Sequence, residues 1–306
     1  MSVPAHHGID VAGAYHPGVA PLPMAAVSAC EPIARAALHA LHQELSAYPK
    51  PGLVSPYDSG SHQDMDAATF MRSLFSLRGY FREIAMAGML GVGFDDLRRL
   101  GIQAESRMLK ATNGVNTHRG AIFALGLLAA AAGLLAGVNQ PLDGPVLGHV
   151  VQRHWGEDIL RGAPQTPCTH GTIASRQYGV TGARHEADTG FPHLFGTGLP
   201  ALEQSLARGA DFPAAIIQSF FSLMAVLPDT NLLHRGGAEG LSYAQWAARL
   251  FLEKGGVHRN GWREHACVIH REFVAHRLSP GGSADLLAAS IFVHRLRMQI
   301  KPRREH

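Results

Sequence analysis

Cysteine is scarce in this sequence, with three among 306 residues, Cys30, Cys168 and Cys267. They are far apart and odd in number, no CxxC pair occurs and no secretory leader is evident, so a reducing, cytoplasmic setting is expected. Charge is sparse too. Charged residues make up 17% and the formal net charge is +3 with histidine neutral, too little to expect a nucleic-acid partner. No Walker A sequence occurs, and no run of alternating β-branched residues reads as a strand. Gly196-Thr197-Gly198-Leu199-Pro200-Ala201 fits a dinucleotide pattern by letters, but no strand precedes it and it is set aside. The 19 histidines are scattered, and no pair has zinc-protease spacing.

Apolar helical periodicity is what the chain does have. Ile33, Ala37, Leu41 and Leu45 recur every four residues, and this helix should end before Pro49, because the residue ahead of a proline resists the α region. Asp66 or Thr69 can open a second stripe of Phe70, Leu74, Leu77, Phe81 and Ile84. Asp95 and Asp96 open a third, with Leu97, Leu100, Ala104 and Met108 inward and Glu105 on the same helix. From Ala121 to Val138 the chain is uncharged and mostly Ala, Leu and Gly. That length is at the lower edge for a membrane span. Its composition and the polar motif at its start favour a core helix, so no membrane is expected as a partner. Further helices are expected over about 145–160, 212–227, 240–253 and 262–277, and from Ser283 onward. Residues 162–198 are too rich in glycine for a long helix. The spacing predicts an all-α fold, a single globular domain of roughly ten helices over 28–300 with its Gly-rich polar loops gathered at one end. Residues 1–27, with four prolines, read as a flexible tail, and 301–306 as a basic one.

Two polar segments stand out. Thr112-Asn113-Gly114-Val115-Asn116-Thr117-His118-Arg119-Gly120 runs directly into the apolar helix. A helix start offers free N–H groups and the positive end of a dipole, which suits an anion. An ordinary start capped by Asn116 or Thr117 is the alternative. Cations on a first turn oppose the dipole, so His118 and Arg119 favour an anion nearby. The second segment, 48–66, is a long loop carrying Lys50, His62, Asp58, Asp64 and Asp66, and long loops inside compact domains tend to be functional.

Five motifs follow one another in order: Pro49-Lys50-Pro51-Gly52-Leu53-Val54 with His62-Gln63-Asp64-Met65-Asp66; Thr112 to Phe123; Gly182-Ala183-Arg184-His185-Glu186-Ala187; Asp229-Thr230-Asn231 with Arg235-Gly236-Gly237; and Ser279 to Leu287. Together, over about residues 30–297, they resemble the triphosphoribosyl-dephospho-coenzyme A synthase family. The form Ser55-Pro56-Tyr57-Asp58-Ser59-Gly60-Ser61-His62 resembles the malonate decarboxylase branch more than the citrate lyase branch. The resemblance implies a transfer from ATP. The 2′-hydroxyl of 3′-dephospho-coenzyme A attacks the ribose C1′ and adenine leaves. The product is the precursor of the prosthetic group on the decarboxylase's acyl carrier protein.

That chemistry develops oxocarbenium character on the ribose, as in glycoside cleavage. It calls for a base, a donor to the departing adenine and a clamp on a triphosphate whose charge, with magnesium, one or two carboxylates can help balance. Asp64 and Asp66 could share the metal or act as base. Lys50, Arg119, Arg184 and Arg235 are natural phosphate contacts. Glu186 could be base or oxocarbenium stabiliser. His118 or His62 could donate to adenine, since histidine titrates near neutrality. Asn113, Asn116, Thr117, Asn231 and Ser283, polar members of the same motifs, are candidates for the remaining substrate contacts. Competing readings are an all-α nucleotide hydrolase, in which water replaces the coenzyme hydroxyl, and a coenzyme-carrying or carrier-protein-binding module without catalysis.

Overall fold

A computed structural model describes residues 24–142, 144–162 and 169–300. The expected tails at 1–23 and 301–306, and Cys168, lie outside these residues. Among the described residues there are thirteen α-helices and no strand, which bears out the all-α expectation.

The apolar run forms α5 (Arg119–Gly137), against which the helices described next pack. It is long and apolar enough to cross a membrane, yet 78% of its apolar window is buried inside the fold. Its glycines explain how closely it is approached. A Cβ on Gly133 would strike the Ala85 carbonyl, and one on Gly88 would strike the Ala130 carbonyl. So α3 (Arg78–Met89) lies backbone against backbone on α5. The hydroxyl of buried Tyr80 donates to the Ile122 carbonyl at 2.8 Å, a polar tie between the two helices. Around the pair stand α1 (Met24–Ser46), α4 (Phe94–Ala111), α6 (Gly144–Arg161) and α13 (Gly281–Ile300).

Three boundaries differ from expectation. Helix α1 starts at Met24 rather than near Glu31, because the Ala-rich segment 24–30 favours helix; it takes in the end of the expected tail. The stripe from Phe70 to Ile84 is two helices, α2 (Ala67–Ser76) and α3, broken at Leu77, whose ψ of 0° leaves the helical path. The helix expected from about 240 starts at Thr230 and runs to Glu253 as α11, with a kink at Gly237. There φ is 64° and ψ −163°, a conformation that glycine adopts without a steric cost.

The Gly-rich stretch breaks into short pieces, as expected: α7 (His170–Tyr178), α8 (Ala183–Asp188) and a π-helical turn (Leu194–Gly198) that runs into α9 (Leu199–Ala207). The third set of helices is α10 (Phe212–Val226), α11 and α12 (Trp262–Ala275), with a 3-10 turn at Gly256–His258.

Candidate active site

The helix starts meet through two carboxylates. Asp229 precedes α11, and its Oδ1 accepts from the backbone N–H of Asn231 at 2.9 Å and of Leu232 at 3.4 Å. Its Oδ2 accepts from the N–H of Ser283 at 2.8 Å and from the Ser283 hydroxyl at 3.0 Å. One side chain, 1% exposed, therefore caps both α11 and α13. Burial pushes its pKa above the ordinary carboxylate range, against the pull of these donors. On the next turn of α13, Asp285 accepts from the backbone N–H of Ala121 in the first turn of α5. Its carboxylate lies where a Cβ of Gly120 would be, so the glycine of the central motif makes room for it. Burial, and the charges of Asp229 and Glu44, push the Asp285 pKa well up. The free helix start anticipated at α5 thus already carries a carboxylate. Asn231 flanks the same junction, its side-chain amide against Gly281.

The first loop is laced to this junction. Gly52, with φ of +70°, lies with its Cα against the Leu278 carbonyl, and the Ser61 hydroxyl donates to that carbonyl at 2.6 Å. His62 Nε2 is 2.9 Å from the Ser279 hydroxyl. Arg235 of α11 donates to His62 Nδ1 at 3.1 Å and to the carbonyls of Ser61 and Arg277 at 3.2 and 3.3 Å. Arg235 therefore ties together motifs far apart in sequence. Asp64 stands 3.8 Å from His62 with 63% of its side chain exposed. Asp66 is the N-cap of α2, accepting from the Thr69 N–H at 2.8 Å and hydroxyl at 2.7 Å, and these bonds hold its pKa low. Lys50, expected on phosphate, is buried and bonded to the Glu44 carboxylate at 2.6 Å and to the Glu44 carbonyl. A charged ammonium in the core requires such a partner, so its contribution in this arrangement is to hold the loop on α1.

At the head of α5 the turn closes α4 before it opens the next helix. Asn113 is left-handed at φ 55°, and the Gly114 N–H donates back to the Leu109 carbonyl at 2.7 Å, a normal helix stop. Asn116 Oδ1 accepts from the Arg119 N–H at 3.2 Å, which is the capping contact anticipated for it. Arg119 Nε donates to Glu105 at 2.6 Å. His118 is 3% exposed. Its Nδ1 is 2.6 Å from the Ser73 hydroxyl and its ring stands edge-on to Phe70. Its Nε2 and the neighbouring Thr117 hydroxyl are buried without a hydrogen-bond partner among the described residues. Burial lowers the His118 pKa to about 3, and burial together with Arg235 lowers that of His62 to about 4. Both imidazoles are neutral at pH 7. The expectation that either titrates near neutrality is corrected here, because burial outweighs the ordinary histidine value.

The glycine-rich motif joins from the other side. A Cβ on Gly171 would meet the Thr230 hydroxyl at 3.2 Å, so α7 touches the start of α11. Glu186 is 8% exposed and accepts from the backbone N–H of His193 at 2.9 Å and from His193 Nδ1 at 2.7 Å; this raises the His193 pKa. Arg184 donates to the Ile159 carbonyl at 2.8 Å. The structure thus brings His62, Asp64, Arg235, Asn231 and Ser283 to one junction. It gives Lys50, Asp66, Arg119, Arg184 and Glu186 intramolecular partners.

Sequence reasoning left Asp229, Asp285, Ser73 and Glu44 without roles. The signal for Asp229 was present, since an Asp directly before a helix start is a cap. That it caps a second helix 54 residues on is a tertiary fact. Among the described residues no group of three or more His, Cys, Asp or Glu could hold a metal ion. A magnesium ion that arrives on a triphosphate asks for only one or two carboxylates, and exposed Asp64 fits that demand better than Asp66, whose Oδ1 is occupied.

A family profile described as ATP:dephospho-CoA triphosphoribosyl transferase matches residues 30–304. A protein of Acinetobacter calcoaceticus named probable 2-(5''-triphosphoribosyl)-3'-dephosphocoenzyme-A synthase is 42% identical over 254 residues, covering 83% of this chain and 87% of that one. One of Stutzerimonas stutzeri with the same name is 41% identical over 276 residues, covering 89% and 93%. The 2-(5''-triphosphoribosyl)-3'-dephosphocoenzyme-A synthase of Pectobacterium atrosepticum is 40% identical over 261 residues, covering 82% and 84%. No solved structure matches the chain.

Proposed function

The chain belongs to the ATP:dephospho-CoA triphosphoribosyl transferase family, and from that premise we propose that it joins the 2′-hydroxyl of 3′-dephospho-coenzyme A to C1′ of ATP with release of adenine. The observation that carries this reading is the junction of the starts of α5, α11 and α13, where Asp229, Ser283, Asp285 and Gly120 meet and onto which Arg235 and His62 draw the first loop. The helix starts there already hold the Asp229 and Asp285 carboxylates, so the cation drawn to the junction, Arg235, is left to meet the triphosphate.

Arg235 and Arg119 act as the clamp, with guanidinium geometry suited to phosphate oxygens. Each exchanges part of its present bonding for phosphate: Arg235 with loop carbonyls, Arg119 with Glu105. Asp64 and Asp66 would hold the magnesium that arrives with ATP, which would offset part of the triphosphate charge. The base for the attacking hydroxyl is one of Asp64, Asp66 and Glu186. Of the two histidines offered for adenine, His118 is favoured: both ring nitrogens of His62 have partners, whereas Nε2 of His118 has none among the described residues.

The loop form at Ser55 to His62 supports malonate decarboxylase, rather than citrate lyase, as the enzyme whose acyl carrier protein receives the prosthetic group. In this reading the protein works in the cytoplasm. The test is incubation with ATP, magnesium and 3′-dephospho-coenzyme A, followed by chromatography. Adenine and a coenzyme product heavier by the triphosphoribosyl group are expected in equal amounts. Ribose triphosphate without a coupled product would mark a hydrolase, and no adenine at all a binding module.

A further inference from the structure

A buried imidazole with one free nitrogen demands an explanation. Ser73 lies within α2, and its only side-chain hydrogen bond among the described residues is to His118 Nδ1, at 2.6 Å. Two proton arrangements are open. If the Ser73 hydroxyl donates to Nδ1, the proton of the neutral ring sits on Nε2 and one donor is left without a partner. If Nδ1–H donates to the hydroxyl, the hydroxyl proton has no acceptor and the Nε2 lone pair no donor, so two groups go unsatisfied. Each unmet buried group costs about 1–3 kcal/mol, so the first arrangement prevails. The unpartnered Thr117 hydroxyl is the next residue in the chain, and Thr117 is only half-buried. Both open hydrogen-bonding groups therefore belong to the segment that leads into α5, in the motif that includes Gly120.

We propose that Ser73 is a positioning residue that fixes His118 as the neutral Nε2–H form, and that this N–H donates a hydrogen bond to N3 or N7 of the departing adenine. The inference rests on the reaction proposed above. In the step, the 2′-hydroxyl oxygen forms its bond to C1′ as the C1′–N9 bond breaks. The bonding pair leaves on adenine, where negative charge spreads to the other ring nitrogens. The hydroxyl proton passes to a carboxylate and reaches adenine through water. The imidazole keeps its own proton and offers a hydrogen bond that strengthens as the charge develops. A neutral donor suits this task, since burial holds His118 near 3 and an imidazolium at this site would lose its proton to water.

The test crosses Ser73→Ala with ATP, 3-deaza-ATP and 7-deaza-ATP, following base release with 3′-dephospho-coenzyme A as acceptor. The deaza bonds are intrinsically harder to break, but that cost is common to both proteins and cancels in the ratio of their rates. With ATP, Ser73→Ala is expected to lower kcat by about 10-fold or more. With the analogue that lacks the contacted nitrogen, the two proteins should react at nearly equal rates. In the native protein, ¹⁵N NMR of labelled histidine should show His118 protonated at Nε2 at pH 7, and in Ser73→Ala a mixture of both forms. Ser73→Ala rates that fall by the same factor with all three nucleotides would overturn the inference, as would a native Nδ1–H signal, while adenine release by the native protein would leave the reaction standing. Absence of base release from ATP by the native protein would bring down the reaction and the inference together.

Discussion

Asp229 offers the sharpest perturbation. Its carboxylate caps α11 through Oδ1 and α13 through Oδ2. A helix cap contributes about 1 kcal/mol, with a range of roughly 0.5–2, so two caps amount to about 2 kcal/mol. Asp229→Ala also leaves the hydroxyl of fully buried Ser283 without an acceptor, a further cost of about 1–3 kcal/mol. The expected loss is therefore roughly 3–5 kcal/mol, large for a domain whose total stability is of the order of 10 kcal/mol. Asp229→Asn keeps one acceptor oxygen but turns an NH2 toward the donors of the other helix. It should lose at least one cap and the bonds to Ser283, and fall between the native protein and Asp229→Ala. Urea unfolding followed by circular dichroism gives the numbers, with an unchanged m-value as the sign that the folded state is otherwise intact. A loss below about 0.5 kcal/mol for Asp229→Ala would refute the double-cap account, because it would place the contact in the ordinary range of surface substitutions.

Other predictions follow from single contacts. Asp66→Ala should cost about 1 kcal/mol through loss of the α2 cap, and Asp64→Asn nearly nothing, while base release by Asp64→Asn should require more magnesium; equal magnesium dependence in Asp64→Asn and the native protein would remove Asp64 from the metal. Gly133→Ala should destabilise by several kcal/mol, since its Cβ would meet the Ala85 carbonyl and push α3 from α5; a neutral effect in thermal unfolding would contradict that contact. Acid should weaken the fold through histidine. With folded values near 4 for His62 and 3 for His118 and an unfolded value near 6.5, the unfolded chain gains protons first as pH falls below 6.5. Each should remove roughly 1.5 kcal/mol between pH 6.5 and 5, and His62→Gln should flatten that slope in pH-dependent unfolding. Asp229 and Asp285, with raised values, act in the opposite sense: their stabilisation is complete below the ordinary carboxylate range and is lost as pH rises through their raised values.

Sequence periodicity located α4, α6, α10 and α12 closely, because each buries one repeating stripe. The core position of α5 was legible in its Ala and Gly content, which permits the close approach of α3 but would pack poorly against lipid. Where the chain turns for reasons of backbone alone, at Leu77 and Gly237, the stripe gave no warning. The junction was half legible. The motifs named the segments that meet, and Asn116 and Asp66 were readable as local caps. Lys50 and Arg119 were read as phosphate contacts from their charge, but their partners Glu44 and Glu105 come from other helices, and a side chain's partner across a fold has no local signature. For the same reason nothing local marks Asp285 as the acceptor for the start of another helix.

The measurement that tests the central claim most directly is quantification of adenine released from ATP with and without 3′-dephospho-coenzyme A, paired with mass spectrometry of the coenzyme. Adenine release should depend on the acceptor and be matched one to one by a coenzyme carrying the triphosphoribosyl group. Adenine release at the same rate without the acceptor, or intact ATP in its presence, would contradict it.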